Sequence, residues 1–542
     1  MVHSVRPWLL LLALGLGCST PALNDTDAAG SDGAMAVDAA VDAAHTACTG
    51  TLTECAPIWE QNTSDHLDAI AGDAAQLAAF LRAVPKGGDL HNHLTGAVYA
   101  ETYLQWALAD HDCIVPSTFA AVYASSCTAS TQPVPTSGTF YDQIVAAWSM
   151  QGFVAGAQTG HDHFFATFAK YGAVAGAHRD DDIANVLARA ADENQLYVET
   201  MFNLGTHVGA TAMAAWSGAV TEANLPMVYD AIHASAEFNA SLASDLAVVR
   251  SAATGWRSRV GCSGATPPAA CGVQVRFIAQ VARTGASDQV FGQLISAFEM
   301  AAMTPEIVGA NLSSPEDDSR SLSNYNLHMA MLAFLHDHYT VPGTSPLHVT
   351  LHAGELVPAY LPAGSMDNTF HIRTAVEVAH AERIGHGIDI MSETNFATTL
   401  DEMRDGHVLV EVCLSSNDQI LGVSGSAHPL ALYLAHGVPV ALATDDQGVS
   451  RSSMAGEYVR AVTDQHLGYR QLKTIARDSL EHSFLPGASL WASVSPRAMV
   501  AACTPLADPP SAACQAFLDT SERAAIEWQL EHRFLVFEQA QP

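Results

Sequence analysis

The chain has 542 residues, 49% of them hydrophobic, which supplies a large core and excludes wholesale disorder. Lys and Arg number 23 against 56 Asp and Glu, a formal charge of -33. A balance of that sign opposes binding to nucleic acid or to an anionic membrane face, so neither is expected as a partner.

The N-terminus carries Arg6 and then an uncharged apolar run, Trp8–Gly17, which suits a signal peptide and is short for a membrane span. The run ends at Cys18, in the context Leu14-Gly-Leu-Gly-Cys-Ser, which resembles a bacterial lipoprotein cleavage site with Cys18 as the lipidated residue. Residues 1–18 are therefore read as signal peptide and lipobox. Residues 19–47, rich in Ala, Asp and Gly with Val-Asp-Ala-Ala at 37–40 and again at 41–44, are read as a flexible acidic tether. The expectation is an exported chain, anchored to a bacterial outer membrane through the lipid alone, or otherwise periplasmic or secreted. Eight further cysteines fall into close pairs: Cys48 and Cys55, Cys113 and Cys127, Cys262 and Cys271, Cys503 and Cys514. In an oxidising compartment near neighbours of this kind form disulfides. Cys413 lies in an apolar run and is expected to be a buried thiol.

Residues 48–84 read as a helical extension, with Leu67, Ile70, Ala74, Leu77 and Leu81 at spacings of three and four and Pro85 as the stop. This arm offers a surface for a homodimer. Then comes Lys86-Gly-Gly-Asp-Leu-His-Asn-His-Leu-Thr-Gly96. On a strand His91 and His93 leave the same face, so two imidazoles can share one metal ion. Residues 101–195 read as mostly helical, with a disulfide-closed excursion at 113–127. His161 and His163 sit in that helical stretch, where residues two apart point away from each other and do not share an ion. Short apolar runs then alternate with helical ones: 196–202, 273–281, 307–312, 347–352, 383–388, 408–414 and 438–444. With 89–94 they make eight. Strand–helix alternation implies a parallel sheet, and eight units imply an α/β fold of the (β/α)8 TIM-barrel type over 85–500, with its site at the strand C-terminal ends. Residues 501–542 read as a C-terminal helical segment.

The polar residues fall at those ends. His91, His93, His352 and Asp445 make a set of three nitrogens and one oxygen suited to one zinc ion with a position left for water. In Leu347–Glu355, reading LHVTLHAGE, Gly354 turns the chain so that Glu355 stands beside His352. His348 is expected to pack in the barrel interior.

In this order the motifs Pro85-Lys, Leu90-His-Asn-His-Leu-Thr-Gly96, His352-Ala-Gly-Glu355, Arg383-Ile-Gly-His-Gly387, Ser415-Ser-Asn417, Thr444-Asp-Asp446 and Glu457-Tyr458 resemble the adenosine deaminase family, and within it the secreted, growth-factor-related branch. The resemblance implies zinc on His91, His93, His352 and Asp445, and a proton held for purine N1 by Glu355. It implies that His386 orients the attacking hydroxide and that Asp446 contacts N7. Phe164, Phe165 and Phe168 match the family's apolar wall, and Ser314 stands where a backbone group meets purine N3, at a position usually Gly. Thr95 stands where the family commonly has an Asp for the ribose 5′-hydroxyl. The implied activity is hydrolytic deamination of adenosine or 2′-deoxyadenosine, a small-molecule purine nucleoside being the partner. The alternatives are a related deaminase for adenine or a modified purine nucleoside, and a surface nucleoside-binding or signalling protein. The other zinc deaminase design needs a CxxC ligand pair, and the sequence has none.

Overall fold

The computed structural model describes residues 48–203, 207–340 and 347–542. The lipobox, Cys18 and the tether at 19–47 lie outside the described residues. Each of the eight apolar runs is a strand: β1 Gly88–His93, β2 Tyr197–Phe202, β3 Gln274–Ala282, β4 Ile307–Ser313, β5 His348–Ala353, β6 Arg383–His386, β7 Leu409–Val412 and β8 Val440–Leu442. They form one sheet in sequence order, with every neighbouring pair parallel. The ring closes where Asn92 bridges Asp445, with the Asp445 amide donating to the His91 carbonyl at 2.8 Å and the His93 amide to the Asp445 carbonyl at 3.1 Å. The fold is a (β/α)8 barrel.

Strands such as β2 and β4 are buried along their whole length, because helices cover the outside of a parallel sheet while side chains fill the inside. The barrel interior holds a buried ionic plug. Arg383 of β6 reaches Glu199 of β2 at 2.5 Å and Glu411 of β7 at 2.6 Å, and Thr350 of β5 donates to Glu411 at 2.8 Å.

The N-terminal extension is two helices, Leu52–Ile70 and Ala74–Ala83. Asp73 separates them by capping the second, accepting from the amides of Ala75 and Gln76 at 3.0 Å each. Phe80 packs edge-on against Tyr469 and against Phe537 of the C-terminal helix Glu522–Gln539, so both ends of the described chain meet on one side of the barrel. The stretch after β1 is mostly helical on either side of the disulfide-closed excursion, which carries a small sheet. Cys113–Val115 pairs antiparallel with Ala120–Val122 and Gln132–Pro133 in a small sheet, and the helices resume at Thr139.

All four expected cysteine pairs are disulfides. Cys48 joins Cys55 with a Cα–Cα separation of 5.4 Å, pinning the start of the first helix. Cys113 joins Cys127 at 5.7 Å and closes the excursion that carries the small sheet. Cys262 joins Cys271 at 5.6 Å in the loop between helix Ala236–Val260 and β3. Cys503 joins Cys514 at 4.6 Å and ties the approach to helix Ala512–Leu518. Cys413 is buried and unpaired, as its apolar run implied.

His348 corrects the sequence reading. It stands at the first residue of β5, four positions below His352, with a side chain 32% exposed. There it stacks on Phe484 at 4.4 Å and pairs with Glu382, at the barrel's lower mouth rather than in its interior. Among the described residues no helix is long and apolar enough to cross a membrane.

Candidate active site

His91 and His93 lie on β1, His352 on β5, His386 at the last residue of β6, and Asp445 three residues past β8. His386 and Asp445 have left-handed backbones, φ +71° and +55°, which turn their side chains inward over the strand ends. A Cβ at Gly385 would lie 2.7 Å from the His91 ring, so that ring needs glycine beside it.

The ligand atoms converge. His91 Nε2 lies 3.5 Å and His93 Nε2 3.3 Å from Asp445 Oδ1, and His93 Nε2 lies 3.1 Å from His352 Nε2. Four donors at 2.0–2.1 Å from one tetrahedral ion stand about 3.3–3.4 Å apart, so this spacing suits zinc. Partners behind the rings fix which nitrogen faces inward. His91 Nδ1 donates to Glu411 at 2.6 Å and His352 Nδ1 to Asn311 at 2.6 Å, leaving both Nε2 atoms for the centre. His91 Nε2 is buried with no hydrogen-bond partner of its own. Burial pushes His93 down to about 4 and His352 well below the ordinary imidazole range, so both are neutral, as ligation requires. Burial alone would raise the Glu411 carboxyl, but Arg383 and the hydrogen bond from His91 bring it to about 2. Burial would likewise raise Asp445. The adjacent His91 and the other imidazoles around it hold it low, and Ser416 Oγ donates to its Oδ2 at 2.5 Å.

Glu355 faces this set. Gly354 turns at φ +73°, and the amides of Gly354 and Glu355 donate to the buried Glu316 at 3.2 and 2.9 Å. Glu355 Oε1 lies 3.5 Å from His386 Nε2. Burial, reinforced by the Asp445 charge, pushes the Glu355 carboxyl up to about 8. It therefore carries a proton at neutrality.

His386 is neutral too, brought to about 3 chiefly by burial, and its tautomer follows from its partners. The Leu430 amide donates to His428 Nδ1 at 3.1 Å, so His428 carries its proton on Nε2. That group donates to Asn417 Oδ1 at 3.1 Å, and the Asn417 amide nitrogen donates to His386 Nδ1 at 2.9 Å. His386 Nε2 is left as an N–H donor aimed at the centre.

A cavity of about 330 Å³ opens over these groups. Phe164, Phe165 and Phe168 wall one side, with Thr95, Ser314, Glu355 and Asp446 around them. Asp446 is buried, and its carboxyl is raised by burial and then by the Asp445 charge. Ser314 holds φ +85°, and its carbonyl accepts from Arg283 at 2.7 Å. The structure thus gathers every residue expected to hold metal, move protons or meet substrate around one cavity. His161 and His163 point elsewhere, His161 to Asp317 at 3.1 Å and His163 to the Ala146 and Ser149 carbonyls.

Residues 259–490, which take in β3 to β8, match the family model described as adenosine deaminase. Over this stretch the chain is similar to adenosine deaminases. Adenosine deaminase from Escherichia coli (strain SMS-3-5 / SECEC) is 33% identical over 149 residues, 27% of this chain and 41% of that protein. Adenosine deaminase from Edwardsiella ictaluri (strain 93-146) is 30% identical over 218 residues, 40% of this chain and 56% of that protein. The chain spans about half, or less, of these curated relatives. Among solved structures, adenine deaminase from Arthrobacter aurescens is 19% identical, covers 74% of this chain and 95% of that one, and superposes with a TM-score of 0.45. The Arabidopsis N6-mAMP deaminase is 19% identical, covers 75% of this chain and 96% of that one, with a TM-score of 0.46.

Within this site several residues escape a sequence reading. Glu411, Asn311, Arg283, Glu316 and His428 each act on a residue from a different strand or loop. The one local signal is a charge inside an apolar run, as in Val408-Leu-Val-Glu-Val-Cys-Leu414.

Proposed function

We propose that the chain is a zinc-dependent aminohydrolase, holding one zinc ion, that converts adenosine or 2′-deoxyadenosine to the inosine form and ammonia. The observation that carries this reading is a buried Glu355 beside three inward-facing imidazoles and Asp445, under an aromatic-walled cavity sized for a small ligand. Held by His91, His93, His352 and Asp445, zinc would supply a water whose pKa falls from 15.7 to about 7. Glu355 protonates purine N1, which makes C6 electron-poor. His386 Nε2–H orients the oxygen that adds to C6, and Asp445 takes its proton. Asp446 meets N7; the C6 amine takes the proton from Asp445 and leaves as ammonia, while the C6 hydroxyl returns its proton to Glu355 and becomes the carbonyl.

Thr95 favours a second reading, a related deaminase acting on adenine or a modified purine nucleoside, because it lacks the carboxylate that family members commonly present to the ribose. For location we propose export with a lipid on Cys18, and a place in the growth-factor-related branch. Four disulfides support residence in an oxidising compartment.

The test is turnover by zinc-loaded protein on adenosine, 2′-deoxyadenosine, adenine and AMP, read as ammonia release. Turnover of the first two is expected. Turnover of adenine alone selects the second reading, and turnover of none overturns both. Glu355→Gln should abolish turnover and keep one zinc ion per chain. Loss of the zinc would contradict the division between ligand and proton donor.

A further inference from the structure

A second cavity, of about 400 Å³, adjoins the first. Thr95, Phe168 and Gln280 line both, so the two meet at these residues. The second runs between helices Phe168–Ala177 and Arg179–Asp192 on one side and helix Ala236–Val260 on the other.

Its walls carry Asp182, only 1% exposed, and Asp245, 3% exposed. Among the described residues the Tyr103 hydroxyl is the one donor beside Asp182, neither of whose oxygens it meets at full hydrogen-bond geometry, and Oδ2 of Asp245 has none. Tyr103, beside Asp182, directs its hydroxyl to the Thr95 carbonyl at 2.8 Å. The cations near Asp245 are His207 at 4.0 Å, a side chain 77% exposed, and Arg179, whose charge also reaches Asp182. Arg179 completes the lining and stacks over the Phe202 ring at 5.2 Å. Buried carboxylate oxygens without well-placed donors are rare in native proteins, and three of them on two carboxylates of one cavity call for donors from a ligand.

Resting on the purine deaminase reading above, we propose that this cavity receives an extension on the 5′ side of the nucleoside sugar. The extension carries an ammonium group, which Asp182 and Asp245 bind, and an adjoining carboxylate, which Arg179 binds. Position 95, expected to face the sugar 5′-hydroxyl, lies at the junction and presents no charge across it. A 5′-phosphate would meet two carboxylates for one guanidinium. An apolar extension would leave the buried oxygens unpaired.

The test uses the full-length, zinc-loaded protein and compares kcat/KM for adenosine, AMP, 5′-deoxy-5′-(methylthio)adenosine and S-adenosyl-L-homocysteine. The last two share the thioether and differ in the amino-acid end. We expect kcat/KM for S-adenosyl-L-homocysteine at least tenfold above that for the methylthio compound, and AMP below adenosine. Asp182→Asn and Asp245→Asn should each cut the S-adenosyl-L-homocysteine value tenfold or more and leave adenosine within twofold. Turnover of adenosine with no preference for the amino-acid end, or a loss that falls equally on adenosine, overturns this inference and leaves the parent reading intact. No turnover of any compound overturns the parent reading and this inference with it.

Discussion

The tautomer of His386 is dictated from outside the cavity. A backbone amide at Leu430 fixes His428, which fixes Asn417, which leaves the His386 proton on Nε2. Replacing His428 by Leu frees the Asn417 side chain to turn over and the imidazole to change tautomer. We expect kcat to fall about tenfold with KM little changed, the low end for partners that orient a site residue; steady-state kinetics measures it. Glu355 sets the pH profile. Its carboxyl, raised to about 8 by burial and the Asp445 charge, is protonated below that value and loses its proton above it. Activity should therefore decline as pH rises through about 8, which a plot of kcat/KM against pH reads directly. Ser314 pays a backbone cost at φ +85° that glycine does not. Ser314→Gly should stabilise the protein by roughly 1 kcal/mol in denaturant unfolding. The convergence of His91, His93 and His352 was legible in the sequence because His-x-His on a strand and His-Ala-Gly-Glu at a strand end each place their chemistry locally. His428 was not, because its meaning depends on Asn417, and Asn417 matters through a strand 31 residues earlier.

At the scale of elements, the eight strands were legible because a strand buried on both faces is a short, unbroken apolar run between helical ones. The disulfides were legible for a similar reason, since partners such as Cys48 and Cys55 lie only 7 residues apart. The small sheet at 113–133 was not, since strands of two or three residues show no period. The ionic plug beneath the site joins β2, β5, β6 and β7 through one guanidinium. Arg383→Met would leave Glu199 and Glu411 as buried carboxylates without their cation. A loss of about 3–5 kcal/mol is expected in equilibrium unfolding. Because Glu411 also holds His91, the variant should bind zinc more weakly as well.

For the molecule as a whole, the ligands come from β1, from β5 and from beyond β8, so an ion on them ties distant parts of the barrel together. Metal that binds the folded state alone, at free concentrations near a thousand times its Kd, should stabilise by about 4 kcal/mol. Thermal unfolding with and without a chelator should show a matching fall in Tm. The barrel as a class was legible from the count of runs. Its lower mouth was not, and His348 illustrates why: alternation along β5 puts it on the face of His352, but not at the same height.

The seam between the first strand and the last has a consequence in time. Thr444 donates to Asp89 at 2.5 Å, and these partners lie 355 residues apart. At a synthesis rate of about 5–20 residues per second, roughly 20–70 s pass between the emergence of one side of the seam and the other. Throughout that interval the first strand waits with an open edge and its two histidines wait without their carboxylate. An ion that needs all four groups could therefore bind only once Asp445 has joined the first strand.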